Sequence, residues 1–556
     1  MVYNMCSIST SAVALCIPPI RNNTVYHNFL ICQVFLKGFF AVNTTEMNET
    51  MDNAPALPTD EKATASENAS TWVCPDFKVS GVFSSHMVLQ REKPIKIWGF
   101  SNTPGSRVAG CFMGETVTAT VGDDNRWTLT FSSRLAESEP QIMVISDDRD
   151  HTVTLEDILI GDVWLIGGQS NAELNMAPCM PLTPSIEFYE GDNFRLFAQT
   201  QAYPYTHQEL CATPQPDIIN PDWCWKRPDR EASLSFSAMG WYFAHEVTKH
   251  IGIPLGMVMM AAGGACVREL LPIELAHGEG YFYGANVQEG GYYNTLIHPW
   301  LGLPCKAMLF FQGESEGGAR ELAEKYAYEL ALLVADERAR FGQDFPFYNV
   351  QLSDYRDECF QYFPWLDTIR IQQFKALSII PNSTLTVDMD LGAPEEWPDF
   401  AHSPRKLELS ERLAKLALAK EYGIGRETEC SSPRPVMATL SADKKQIVVE
   451  FTDISAGLIV SGHNPADSYG MEVQGFSVGD YDHRAPARAV ISSRHAVTVD
   501  IPEEVLAAVE ATPAEAKALM GQVNYAYSIR VTPENADLRG GNNLPAPAFA
   551  VNVVGI

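Results

Sequence analysis

In GDVWLIGGQSNAELNM (residues 161–176) an apolar run breaks at Gly167-Gly168, and Ser170 follows two residues later. Glycines let a backbone bend sharply off a strand end, and a serine at that bend either caps the next helix or stands exposed as a nucleophile. A hydroxyl attacks well only when a base takes its proton, and the base needs a third group to fix its tautomer. The stretch Pro398-Asp399-Phe400-Ala401-His402 offers both. Asp399 can fold back to accept a hydrogen bond from Nδ1 of His402, which leaves Nε2 free to face Ser170. Such a set performs acyl transfer, whose oxyanion needs preorganised donors. The backbone N–H groups of Ser170 and of Gly264, in Ala262-Gly263-Gly264-Ala265, can supply two; the same glycine pair equally suits a tight strand-to-helix turn. Cys266 has no histidine close in sequence and reads as a buried structural thiol. Ala172 occupies the last position of GxSxG, which disfavours the α/β-hydrolase elbow.

These residues need a scaffold that gathers them. Five apolar strand candidates, at 163–166, 256–261, 307–311, 347–352 and 384–388, alternate with helical patterns. Helices are expected over 241–251, 321–341 and 407–422, each ending at a glycine: Gly252, Gly342 and Gly423. Strands apolar on both faces imply a parallel sheet covered on both sides, an α/β class. Ligands bind beyond the carboxyl ends of such strands. There the sequence places Gly-Gly-Gln-Ser, Ala-Gly-Gly, Gln-Gly-Glu, Ser-Asp and the loop with Asp399 and His402.

At 556 residues the chain should hold several domains. Residues 1–70 read as a tail or a mis-started extension. Their apolar stretch at 28–42 is too short to span a membrane, and sequons fall at Asn22, Asn43, Asn48 and Asn68. Alternating segments over 71–158 predict an antiparallel β-sandwich, 159–425 the α/β domain, and 426–556 a further β domain. A formal net charge of −29 argues against a nucleic-acid or anionic-membrane partner. Twelve scattered cysteines with no CxxC pair lean towards a reducing compartment, a bacterial cytoplasm, with export as the alternative. Oligomeric state is not legible.

The motifs also resemble a known family. GDVWLIGGQSNAELNM is similar to the nucleophile block of the sialate O-acetylesterases, in the SGNH hydrolase superfamily. FSSHMVLQREKPIKIWGFSNTPGSRV, FSAMGWYFAHEV with GIPLGMVMMAAGG, YYNTLIHPWLGLPCKAMLFFQGES, DFAHSPRK and NNLPAPAF resemble its further blocks, in order. The resemblance implies a three-layer α/β/α fold with a flavodoxin-like parallel sheet, flanked by N- and C-terminal β domains. It also implies a Ser170, His402 and Asp399 triad that deacetylates sugars without metal or cofactor. The family's QGESN asparagine, an oxyanion donor, is Glu316 here; an ionised Glu316 would repel an oxyanion, so it must be protonated, turned away or replaced by a donor such as Gln312. The expected activity is removal of acetyl groups from sialic acid or a related glycan. The alternatives are an acetyl-xylan or hemicellulose esterase and a catalytically weakened carbohydrate-binding relative. Trp365, Trp397, Phe400 and Tyr355 are candidates either to stack on sugar rings or to pack the core. Arg268 and Arg356 are candidates to meet a sialate carboxylate or to lie solvated at the surface.

Overall fold

The computed structural model describes residues 72–556, apart from 184, 190 and 277–286. The expectations for residues 1–70, including the apolar stretch and the four sequons, lie outside the described residues.

One strand, β1 (Thr152–Gly168), belongs to two structures. Its first half alternates exposed and buried positions and pairs antiparallel with Glu137–Asp147, in a sheet with Arg107–Phe112 and Glu115–Thr120. A second sheet of Lys78–Val79, Ile95–Phe100 and Arg126–Phe131 packs on it through Phe112 against Phe131, making a sandwich. From Ile158 onward every residue of β1 is buried, as a strand covered on both faces requires. The chain thus passes from sandwich to α/β layer within one strand, and the expected boundary at 158/159 falls inside it.

The central sheet adds β2 (Phe194–Ala198), β3 (Trp225–Lys226), β4 (Leu255–Met259), β5 (Ala307–Phe311), β6 (Phe347–Gln351) and β7 (Ser383–Val387), in the order β3-β2-β4-β1-β5-β6-β7. All neighbours are parallel except β3 with β2. The five expected strands are β1, β4, β5, β6 and β7. Counted among themselves they stand in the order 2-1-3-4-5, the flavodoxin-like arrangement, whose switch point lies at β1. β2 extends the sheet beyond that pattern. Its sequence FRLFA hides a strand because Arg195 interrupts the apolar run; the terminal nitrogens of the buried guanidinium donate to the carbonyls of Asp192 and Phe194 and pair with Asp157.

Helix α1 (Ala238–Thr248) packs on α4 (Lys406–Glu421), and α2 (Arg320–Phe341) on α3 (Leu366–Ala376). Trp164 and Ile166 of β1 face the first pair. Trp164 meets the ring of Phe243 and donates to the hydroxyl of Tyr422, while a Cβ at Gly240 would strike Ile166. α2 ends, as its sequence indicates, on Gly342 in the left-handed region, φ 68°. α3 was not singled out because it lacks a polar face: Arg370 and Gln373 are wholly buried, and Ile371 joins the second core.

That second core lies under a sheet of nine strands in the C-terminal segment, beginning at Arg434–Leu440 and ending at Phe549–Val554. Val387 and Met389 at the end of β7 enter it, and the side chain of Gln351 hydrogen-bonds both backbone groups of Ala548. No helix among the described residues is long and apolar enough to cross a membrane.

Candidate active site

Ser170 opens the four-residue helix Ser170–Glu173 directly after β1 and is half-buried. The turn that presents it is built on Gly168, whose φ of 120° suits glycine and where a Cβ would lie 2.1 Å from the carbonyl oxygen of Phe311. Gln169 clips this turn to the loop after β5. Its N–H donates to Phe311, and its side-chain oxygen accepts from the N–H groups of Gly313 (3.2 Å) and Ser315 (3.4 Å) and from the amide of Gln312 (3.2 Å).

Asp399 and His402 form the pair that their spacing suggests. Oδ1 of Asp399 accepts the N–H groups of Ala401 (2.9 Å) and His402 (3.1 Å), and Oδ2 lies 2.7 Å from Nδ1 of His402. Partial burial pushes this carboxyl up, but the two N–H donors and the imidazole outweigh it and hold it below the ordinary aspartate value. The same turn occurs at Asp480 and His483, again 2.7 Å apart, on an exposed part of the C-terminal segment. An Asp-x-x-His turn can therefore close on itself away from any site. Its position singles out the first pair: the amide of Asn171, next to Ser170, donates to the carbonyl of Ala401, next to His402, over 3.1 Å. Arg356 braces the same loop by donating to the carbonyls of Glu395 and Trp397, both at 2.8 Å.

The Ala262–Ala265 loop after β4 lies beside the serine turn. Ala262 donates to the carbonyl of Gly168, and Gly264 adopts φ 74°. Glu173 accepts the N–H of Gly263 (2.8 Å), while the hydroxyl of Ser315 donates to the carbonyl of Gly264 (2.9 Å). Among the described residues no protein acceptor takes the N–H of Ser170 or of Gly264. Glu173 and Ser315 were not singled out from sequence. The signal was an acid and a hydroxyl placed next to motifs already recognised, with nothing in the sequence to say where they point.

Gln312 and Glu316 correct the sequence expectation of a third oxyanion donor. Both are buried. The side-chain nitrogen of Gln312 is spent on Gln169, on the carbonyl of Ala265 (3.2 Å) and on Glu316. The other oxygen of Glu316 accepts the N–H of Val267 at 2.6 Å. Burial raises the Glu316 carboxyl to about 8 against the pull of these two donors, so at neutral pH it is mostly uncharged. It is therefore turned away, supporting the start of the Val267–Leu270 helix.

Other candidates are also committed elsewhere. Arg268 is buried and pairs with Glu329 at 3.0 Å, and Arg356 serves the loop described above. Tyr355 is buried with its hydroxyl on Glu314 (2.5 Å). Trp365 is half-buried against Tyr481 and Arg320, while Phe400 stacks on Tyr362 and is half-buried beside His402. Trp397 is half-buried in the same loop. Cys266 is buried, and burial pushes its thiol well above the ordinary range, as befits a structural residue.

Residues 160–419 match the family model described as a carbohydrate esterase, sialic acid-specific acetylesterase (SASA). The sialate O-acetylesterases of Pongo abelii and Homo sapiens are each 25% identical to the chain over 414 residues, covering 66% of it and 75% of the relative. A crystal structure of a carbohydrate acetylesterase from Xanthomonas citri superposes with a TM-score of 0.69 at 25% identity, covering 85% of this chain and 99% of that one. The Ser170 turn and the Asp399–His402 loop both lie inside the matched span, so the part of the chain that carries the candidate site is similar to the SASA carbohydrate esterases.

Proposed function

We propose that the protein is a carbohydrate O-acetylesterase working through a serine acyl-enzyme. Ser170 attacks the ester carbonyl, His402 takes its proton through Nε2 and returns it to the departing sugar hydroxyl, and Asp399 holds the imidazole tautomer and stabilises the imidazolium. The N–H groups of Ser170 and Gly264 receive the oxyanion. Water, activated by His402, then releases acetate. The observation that carries this reading is the seating of the Asp399–His402 turn against Asn171, the neighbour of Ser170, at the switch point of the sheet.

The relatives' names support acetylated sialic acid as the substrate class. A neutral acetylated polysaccharide such as acetyl-xylan is favoured by one observation: Arg268 and Arg356, the arginines considered as anchors for a sialate carboxylate, are engaged with Glu329 and with loop carbonyls. Turned away as it is, Glu316 does not repel an oxyanion, so the catalytically weakened reading rests on the missing third donor alone. The test is acetate release from O-acetylated sialic acid and from acetyl-xylan by wild type and Ser170→Ala. A wild type as inert as Ser170→Ala on both, and on p-nitrophenyl acetate, contradicts the enzyme reading.

A further inference from the structure

Beneath the serine turn and the histidine loop lies a buried polar cluster for which the triad has no use. Asn171 is at its centre and is almost wholly buried. Its side-chain oxygen accepts from Nζ of Lys406 at 2.8 Å, and its amide nitrogen donates to Glu314 (2.6 Å) and to the carbonyl of Ala401 (3.1 Å). The same Glu314 oxygen also accepts from the hydroxyl of Tyr355. Lys406 begins α4 four residues after His402, and its ammonium is 5.0 Å from the ring of Phe311, the last residue of β5.

Burying an ammonium and a carboxylate is expensive unless both are paired and held. Here a neutral amide stands between them, its oxygen towards the cation and its N–H groups towards the anion. This polarity fixes which way the amide faces. It also ties together three separate chain segments: the nucleophile turn after β1, the loop after β5, and the histidine loop with its following helix.

We propose that Lys406, Asn171 and Glu314 are positioning residues that set the spacing between the Ser170 hydroxyl and the His402 ring. The proposal rests on the reading that these two groups react together. Lys406 orients the amide, Glu314 holds its other end, and the bond to Ala401 transmits the position to His402. Since a misplacement of about 1 Å costs on the order of 10²-fold in rate, breaking the bridge should lower kcat while leaving substrate binding nearly intact.

The test uses the exchange of charge across one bond. Asn171→Asp sets two carboxylates facing each other and turns an oxygen towards the Ala401 carbonyl; kcat should fall about 10²-fold with KM changed by less than about threefold. Glu314→Gln, which is isosteric, should cost about tenfold in kcat. In Asn171→Asp/Glu314→Gln the amide at 314 can donate to the carboxylate at 171, so the double variant should be at least about tenfold faster than Asn171→Asp alone. Glu314→Gln keeps the proposal open to refutation if Asn171→Asp fails to fold. Losses that multiply without rescue, losses confined to KM, or a fully active Glu314→Gln would overturn it. Ser170→Ala assayed alongside separates the two levels: a fully active Ser170→Ala removes the triad reading and this proposal with it. An inert Ser170→Ala with no rescue in the double variant removes this proposal alone.

Discussion

The amide nitrogen of Asn171 lies 3.1 Å from the carbonyl oxygen of Ala401, so the neighbours of the candidate nucleophile and of the candidate base are hydrogen-bonded to each other. The two motifs are separated by more than two hundred residues of chain. Their meeting follows from topology, because β1 sits at the switch point and the loop after β7 returns across the carboxyl edge of the sheet to begin α4.

Asp399→Asn should keep the loop folded, since the side-chain oxygen can still accept from Ala401 and His402. The amide would then present N–H to Nδ1 and favour the wrong imidazole tautomer. A fall in kcat on the order of 10²–10⁴-fold with little change in KM is expected from steady-state kinetics on an acetyl ester. A variant within twofold of wild type would remove Asp399 from the triad.

Glu173 holds the N–H of Gly263 and thereby the backbone on which Gly264 offers its own. Glu173→Ala should lower kcat by roughly 10–100-fold while KM stays nearly constant, because the donor acts on charge that develops only in the transition state. An effect confined to KM would show instead that the loop serves substrate binding.

Gly168→Ala tests the turn itself. A methyl group would lie 2.1 Å from the Phe311 oxygen at a residue with φ 120°, so β1 and β5 must separate or the turn must change hand. Destabilisation of about 3 kcal/mol or more is expected, read as a lowered denaturation midpoint or as insoluble protein. A midpoint equal to wild type would contradict the described packing.

Glu316 predicts a pH effect on stability. Its carboxyl is raised from 4.5 to about 8 by burial, so between those values the folded state holds a proton that the unfolded state releases. Folding is therefore favoured at the acid end, and this contribution is lost as pH rises towards 8. Glu316→Gln lacks the proton, so wild type should lose stability relative to the variant between pH 5 and pH 8, measured as the difference in Tm across that window. A constant or reversed difference would show that the carboxyl is ionised in the folded protein.

Much of this was readable in the sequence because the relevant physics is local. Five strands buried on both faces announce themselves as apolar runs, and Asp399 with His402 form a turn that closes within five residues. The illegible parts depend on burial of charge. β2 was hidden by Arg195, α3 by Arg370 and Gln373, and the fate of Glu316 by contacts with Val267 and Gln312 that only folding creates. Asn171 stands in the nucleophile motif, yet its partners come from the loop after β5 (Glu314) and the start of α4 (Lys406), and no spacing rule links the three. The repeat of the Asp-x-x-His turn at Asp480 and His483 shows the limit from the other side: local geometry alone does not make a site.

The central claim is that Ser170 is an activated nucleophile served by His402. Labelling the full chain with a fluorophosphonate, followed by peptide mapping, tests it without assuming a substrate. The account predicts a single adduct on the peptide carrying Ser170, absent in Ser170→Ala and formed at least about 10²-fold more slowly in His402→Gln. An adduct on another residue, or labelling of Ser170 at an unchanged rate without the imidazole, would contradict it.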